Sequence, residues 1–278
     1  MPNIARRTHK VIKKKKERKL GPDCRRVPEK VTCLGDYFNI LNSVLKKDGA
    51  FWFRGNSDLT DRLTPSALRF TKLSQRNRAL DLLSDFKRFG ELKLQKTPND
   101  DEEFKWVQLA QHYGLPTRLL DWTKNAAIAL YFACEKESQK DGAVFILNPV
   151  DLNREAFPKK PRILDPNQDA ELIEEYLQLD GMKDLRGLKT IAVNPPWNSE
   201  RIVLQQGTFT LHGSRMFTLT DSQVPSLVYL RIEKDNKQAL LEELERIGVN
   251  EMSIFPEAEH MCSYLKWREN LQIIQDNK

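Results

Sequence analysis

The chain has 278 residues, 40% of them apolar and 30% charged, with a net charge of +6. That length suits one large domain with extensions, and no apolar run approaches the roughly 20 residues a membrane helix needs. The opening MPNIARRTHKVIKKKK lacks the apolar core of a secretory signal, so a cytoplasmic protein is expected.

The positive charge is concentrated at the start. Residues 1–30 hold twelve lysines and arginines against three acids. Such a segment cannot bury a core and reads as a flexible basic arm. It serves either as a solvated tail or as a binder of phosphates, in RNA or DNA, through counterion release. The remainder, residues 31–278, reads as the folded domain. Cys24, Cys33, Cys134 and Cys262 share no C-x-x-C spacing. They read as free thiols, and no metal site is expected.

Leu34, Tyr37, Phe38, Ile40, Leu41, Val44 and Leu45 have helical spacing, and Lys46, Lys47 and Asp48 end that helix. Residues 50–54 form a strand with both faces covered, ending at Arg54. Residues 59–70 are a loop. Ser74 caps a helix with Leu82, Leu83, Phe86, Phe89 and Leu92 on one side. Asp100 and Glu103 suggest a capping box for a helix carrying Phe104, Val107 and His112. Gly114 stops that helix, and Pro116 fixes the turn after it. RLLD, residues 118–121, is a short strand, and the apolar run from Ala126 to Ala133 is a buried helix. GAVFIL, residues 142–147, is a buried strand.

Residues 150–200 form a Pro-rich insert with one helix around Leu172, Ile173, Tyr176 and Leu177, expected at the surface or as a lid. Strands follow at 201–211 and 227–233, then a helix over 236–247 stopped by Gly248. A last short strand covers 252–255 and a last helix 258–274. The mixture is α+β rather than a regular βαβ array. The phosphate-cradling G-x-G-x-x-G of a Rossmann site does not occur.

Four segments carry unusual polar residues: FWFRG (51–55), HYGLPTRLLDWT with LYFA (112–133), RIVLQQGTFTLHG (201–213) and IFPE (254–257). Together they resemble the FRG domain family, named for the triplet seen here as Phe53, Arg54 and Gly55. The resemblance runs from about Leu34 to Trp267. Through it the chain looks like a distant relative of the ADP-ribosyltransferases, whose core is a split, mixed or antiparallel sheet with flanking helices. The resemblance implies an NAD-dependent transferase and, in some members, a toxin of bacterial defence or toxin–antitoxin systems. A protein antitoxin would then be a partner.

The transferase task is to hold NAD while the nicotinamide–ribose bond breaks, then to offer an acceptor nucleophile. Nicotinamide leaves as a neutral group, so positioning and charge stabilisation carry the rate. Arg54, beside Gly55, suits a bidentate grip on phosphate or ribose; a structural ion pair with Asp121 is the plainer role. Thr123 suits ribose orientation, or a helix N-cap. His112 and Tyr113 suit stacking on nicotinamide or adenine, or simple packing. Arg118 suits a phosphate contact, and Asp121 a base, or the two share a network lining the site. The better-known transferases have a glutamate on a late strand; here Gln205 and Gln206 stand at about that point. A glutamine hydrogen-bonds a ribose hydroxyl but takes no proton, which leaves Glu200 and Glu257 as alternative acids. The expected function is ADP-ribosyl transfer from NAD to a macromolecule, preferably RNA held by the basic arm. The alternatives are a non-catalytic nucleotide- or nucleic-acid-binding module and an NAD glycohydrolase.

Overall fold

The computed structural model describes residues 24–45, 49–70, 72–94, 96–177, 188–213 and 227–269. Residues 1–23 of the basic arm, the helix end at Lys46, Lys47 and Asp48, and the last helix beyond 269 therefore lie outside the described residues.

The first element is β1, Arg25–Val27. It falls within the predicted arm, yet it pairs parallel to a strand some 200 residues later and buries Val27. The folded domain thus includes residues 25–27 of the predicted arm, because β1 covers an otherwise open sheet edge. Helix α1, Leu34–Val44, buries Tyr37, Ile40 and Leu41, the stripe its spacing predicts. Strand β2 is Trp52–Asn56. Helix α2, Leu73–Lys93, starts at Leu73, so Ser74 lies inside it rather than at its cap. Helix α3, Glu103–His112, has no side-chain cap, and the Asp100–Glu103 box does not form. Gly114 follows with φ +84°, a conformation glycine adopts without strain.

Strand β3, Leu119–Thr123, leads into α4, Ala126–Cys134, which is buried almost all round. Asn125, not Thr123, caps α4 by accepting from the amides of Ala127 and Ile128. Strand β4 is Gly142–Leu147, and every residue in it is buried.

The described part of the predicted insert packs into the domain. It holds α5, Pro149–Ala156, α6, Ala170–Leu177, and the edge strand β5, Ile191–Val193. Asn153 of α5 is fully buried: its amide oxygen accepts from Ala192 N, and its amide nitrogen donates to the carbonyls of Ala192 and Arg162. That side chain satisfies backbone groups an edge strand would leave unpaired.

The 201–211 strand is half helix. Helix α7, Glu200–Leu204, is capped by Ser199 accepting from Ile202 N, and only Gly207–Leu211 forms β6. Strand β7 is Val228–Ile232 and α8 is Lys237–Arg246. The 252–255 strand is instead α9, Glu251–Ile254, closed by a reciprocal cap between Asn250 and Ser253. Helix α10 is Ala258–Arg268.

The seven strands of the described residues make one mixed sheet in the order β1-β7-β4-β2-β3-β6-β5. Side chains alternate along β4: Val144 and Ile146 pack under α1, α4 and α8, while Phe145 and Leu147 join Trp52 and Trp122 on the other face. A third cluster around Ile173, Tyr176, Ile191 and Phe209 ties α6 to the β5–β6 end. The fold is α+β, as expected. What positions the site is one irregularity. Strand β2 pairs with β4 through five residues, and β3 with β6 through five, but β2 meets β3 only at Phe53 and Thr123. Beyond that pair the sheet splits in two.

Candidate functional site

A cleft of about 1140 Å³ opens at the split. Its walls are the ends of β2, β3 and β6, the exposed side of α3, and the first residues of α7. On α3 the residues facing it are Lys105, Gln108, Leu109, Gln111 and His112, the helical spacing of one side.

Gly55 explains how β2 can lie so close to α4. A Cβ at that position would sit 1.9 Å from the Ala129 carbonyl oxygen. Any other residue would push β2 and α4 apart. Gly55 lines the cleft, but packing accounts for it.

Arg54 occupies the split. Its guanidinium donates from Nη1 to the backbone carbonyl of Asp121 at 2.6 Å, a group the missing β2–β3 ladder leaves free. The alternative of an ion pair is not what forms, since Arg54 meets the carbonyl of Asp121 and not its carboxylate. Its Nε is buried without a hydrogen-bond partner among the described residues. Burial pulls the Arg54 pKa below its ordinary value, Asp121 and Asp61 counter this, and neighbouring Arg69 adds to it. The Asp121 carboxylate accepts from Gln111 Nε2 at 2.7 Å. Gln111 in turn accepts from the Thr117 hydroxyl, so α3 holds Asp121 at the cleft wall.

Thr123 is 4% exposed, and its hydroxyl is used twice: it accepts from Asn125 N at 2.9 Å and donates to Gln205 O at 2.7 Å. It pins the end of β3 to the turn after α7. Gln205 lines the cleft, and its side-chain nitrogen is buried without a partner among the described residues. Gln206 does not line it. That residue turns the chain at φ 46°, and its carbonyl accepts from Lys124 N at 3.0 Å. The paired glutamines therefore stand at a helix-to-strand turn, not within a strand, and only the first faces the site.

Arg118 is the clearest correction. It is buried on the far side of β3 and donates to the carbonyls of His212, at 2.9 Å, and Tyr176. Burial pushes its pKa down to about 10. It fastens α6 to the end of β6, and it shares no network with Asp121. Nearby His212 is buried too, 2.9 Å from Thr210 Oγ1.

His112 and Tyr113 both line the cleft, with their rings 5.0 Å apart edge to face. Burial and the Arg201 charge hold the His112 pKa below its usual value, against the pull of Glu257. Glu257 lies 3.9 Å from His112 Nε2 and 3.6 Å from Arg201, whose guanidinium stacks on Phe255 at 5.0 Å. Of the two alternative acids, Glu257 thus reaches the cleft wall through Arg201 and His112, whereas Glu200 is exposed and does not line it.

The sequence reading missed Gln111, Arg69 and Arg201. The helical spacing of Lys105, Gln108 and His112 would have marked which side of α3 faces the site; Arg69 had no local signal. Lys237 was also missed. It is buried and donates to the carbonyls of Ser57, Lys136 and Glu137, pinning two loops on the cleft rim. No cluster of three or more His, Cys, Asp or Glu able to hold a metal occurs among the described residues.

The FRG domain family model matches residues 49–142, from the turn before β2 to the first residue of β4. The match contains FWFRG and HYGLPTRLLDWT and supplies Arg54, Gln111, His112 and Asp121 to the cleft; α7, β6 and Glu257 lie outside it. No curated protein and no solved structure matches the chain.

Proposed function

We propose that the cleft binds NAD and that the protein transfers ADP-ribose from it to a macromolecular acceptor, RNA by preference. The observation that carries this reading is Arg54 in the split between β2 and β3, with a single hydrogen bond to the protein among the described residues. A half-buried guanidinium with unused donors suits a phosphate, which it can grip bidentately. Arg69 on the same wall adds a second cation. The unpartnered amide nitrogen of Gln205 suits a ribose hydroxyl. A sheet that splits beside its arginine is also what the resemblance to ADP-ribosyltransferases leads one to expect.

In this reading NAD supplies the scissile bond between ribose C1′ and the nicotinamide nitrogen. The bond's electron pair leaves with nicotinamide, and the acceptor oxygen or nitrogen attacks C1′ and gives up its proton. Arg54 and Arg69 hold the diphosphate, and His112 packs on a ring. Asp121 is the acid on the cleft wall, fixed through Oδ1 by Gln111, and it takes the acceptor's proton. Thr123 holds the wall and touches no substrate, because its hydroxyl is already satisfied. The family resemblance adds a role as a toxin of bacterial defence, held in check by a protein antitoxin.

A second reading, a nucleotide-binding module without turnover, is favoured by one observation: β6 carries no carboxylate into the cleft. Incubation with NAD labelled in its adenosine half, plus separate protein, RNA and DNA pools, decides. Label on RNA is the expected result. Free ADP-ribose alone indicates a glycohydrolase, binding without turnover indicates the module, and no binding refutes the proposal.

A further inference from the structure

The cleft is larger than the roughly 300–1,000 Å³ of a small-ligand pocket. Its mouth also differs in character from its floor. On the side formed by α2 and α3, Lys93 and Lys96 line the rim and have no acidic partner among the described residues. Glu102 on the same rim is taken up by Lys105, and Asp100 and Asp101 on the connecting loop do not line the cleft. Two large aromatic side chains stand open around α3, the helix that forms this wall of the cleft. Tyr113 lines the cleft and is 57% exposed. Trp197 is 64% exposed and directly precedes Asn198, which accepts from Gln108 of α3 at 2.8 Å. Gln108 and Tyr113 are five residues apart, about 7.5 Å along a helix axis. Trp197 itself does not line the cleft, but through Asn198 and Gln108 it is placed next to the helix that ends before Tyr113.

Exposed aromatics this large lose contact with water only when something covers them, and unpaired lysines attract phosphate. Rings interleaved with cations along a groove are how single strands are bound without base reading: bases stack while the backbone follows the charge. A duplex cannot use the rings, because its bases are already stacked. An acidic peptide would meet the lysines but gain little from two separated open rings.

We infer that the cleft mouth is a track for single-stranded RNA, whose bases stack on Tyr113 and Trp197 and whose phosphates meet Lys93 and Lys96. This depends on the proposed function only in making the strand the acceptor. It is also distinct from the basic arm, since it lies on the folded domain and leads into the cleft.

The test is fluorescence anisotropy of the full chain with a labelled RNA of about twelve nucleotides, single-stranded and as a duplex. Trp197→Ala and Tyr113→Ala should each weaken single-strand binding roughly 5- to 100-fold and leave duplex binding unchanged. The double variant Lys93→Ala/Lys96→Ala should flatten the slope of log affinity against log salt by about 0.7 per lysine. All these side chains are exposed, so the melting temperature should hold. Wild-type affinity and slope in every variant, an equal loss on duplex, or no RNA binding by the wild type would overturn the inference. NAD titration separates it from the proposed function. If the track behaves as expected but NAD does not bind, the function fails and the track stands. If NAD binds and no variant alters RNA binding, the reverse holds.

Discussion

Replacing Arg54 by alanine tests the site most directly, because structure and ligand make different demands on that side chain. Among the described residues it makes one charged hydrogen bond, 2.6 Å to the Asp121 carbonyl. Losing such a bond costs about 1.5–3 kcal/mol. The carbonyl lies at an open cleft, so water replaces the guanidinium and the cost stays near the low end. Burial already disfavours the charged arginine, which offsets part of the loss. Against the 5–15 kcal/mol typical of a folded protein, Arg54→Ala should still fold, with a melting temperature lower by roughly 3–10 °C. The ligand side is larger. A guanidinium holding a diphosphate makes at least two charged bonds of about 1.5 kcal/mol each, so NAD affinity should fall by about a hundredfold or more. Calorimetric titration with NAD, beside thermal unfolding, measures both. Arg54→Lys keeps the charge but not the fork and should fall between. An alanine variant that folds and binds NAD like the wild type would refute the role of Arg54 in binding. One that unfolds outright would show that its work is structural.

Gly55→Ala should destabilise the fold by at least about 2 kcal/mol in urea unfolding, because its Cβ meets the Ala129 carbonyl at 1.9 Å; a change below about 0.5 kcal/mol would show that α4 yields easily. His212 should make the fold acid-sensitive. Burial first, then the charges of Arg118 and Arg54, push its pKa down to about 3. The unfolded chain takes up the proton near pH 6.5 and the folded one does not, so stability falls as the pH drops from about 6.5 towards 3. The slope is at most about 1.4 kcal/mol per pH unit. His212→Gln should lack that component, and parallel pH profiles of the two proteins would count against it. A chain starting at Cys24 should keep its melting temperature and its NAD affinity while losing only the arm's share of RNA affinity and salt dependence. A chain starting at Val31 also loses β1 and uncovers β7, so it should melt earlier; equal melting of the two would mean that β1 adds nothing to the sheet.

The sequence by itself determined the elements whose pattern is local. The stripe of α1, the all-round apolar run of α4 and the unbroken apolar strand β4 each state their burial in residues a few positions apart. It also marked His112 and Asp121, because polar and charged residues are costly beside a buried helix, and Arg54 through the resemblance to the FRG family. It misread 201–211 because Ile202 and Val203 favour strands, while the cap that starts α7 depends on Ser199 just before them. What tertiary structure alone decided was which polar residues meet. Arg54 and Arg118 are the same residue type, one within the short strand β2 and the other just before β3. One enters the split, and the other is buried behind β3 on two carbonyls. Strand register sends neighbouring side chains to opposite faces, and register is set by partners distant in the chain. The split has the same origin. Strand β2 commits its ladder to β4, and β3 commits its own to β6, which leaves Phe53 and Thr123 to join the halves. No short window contains both strands and both of their other partners, so the cleft exists only once all four have paired.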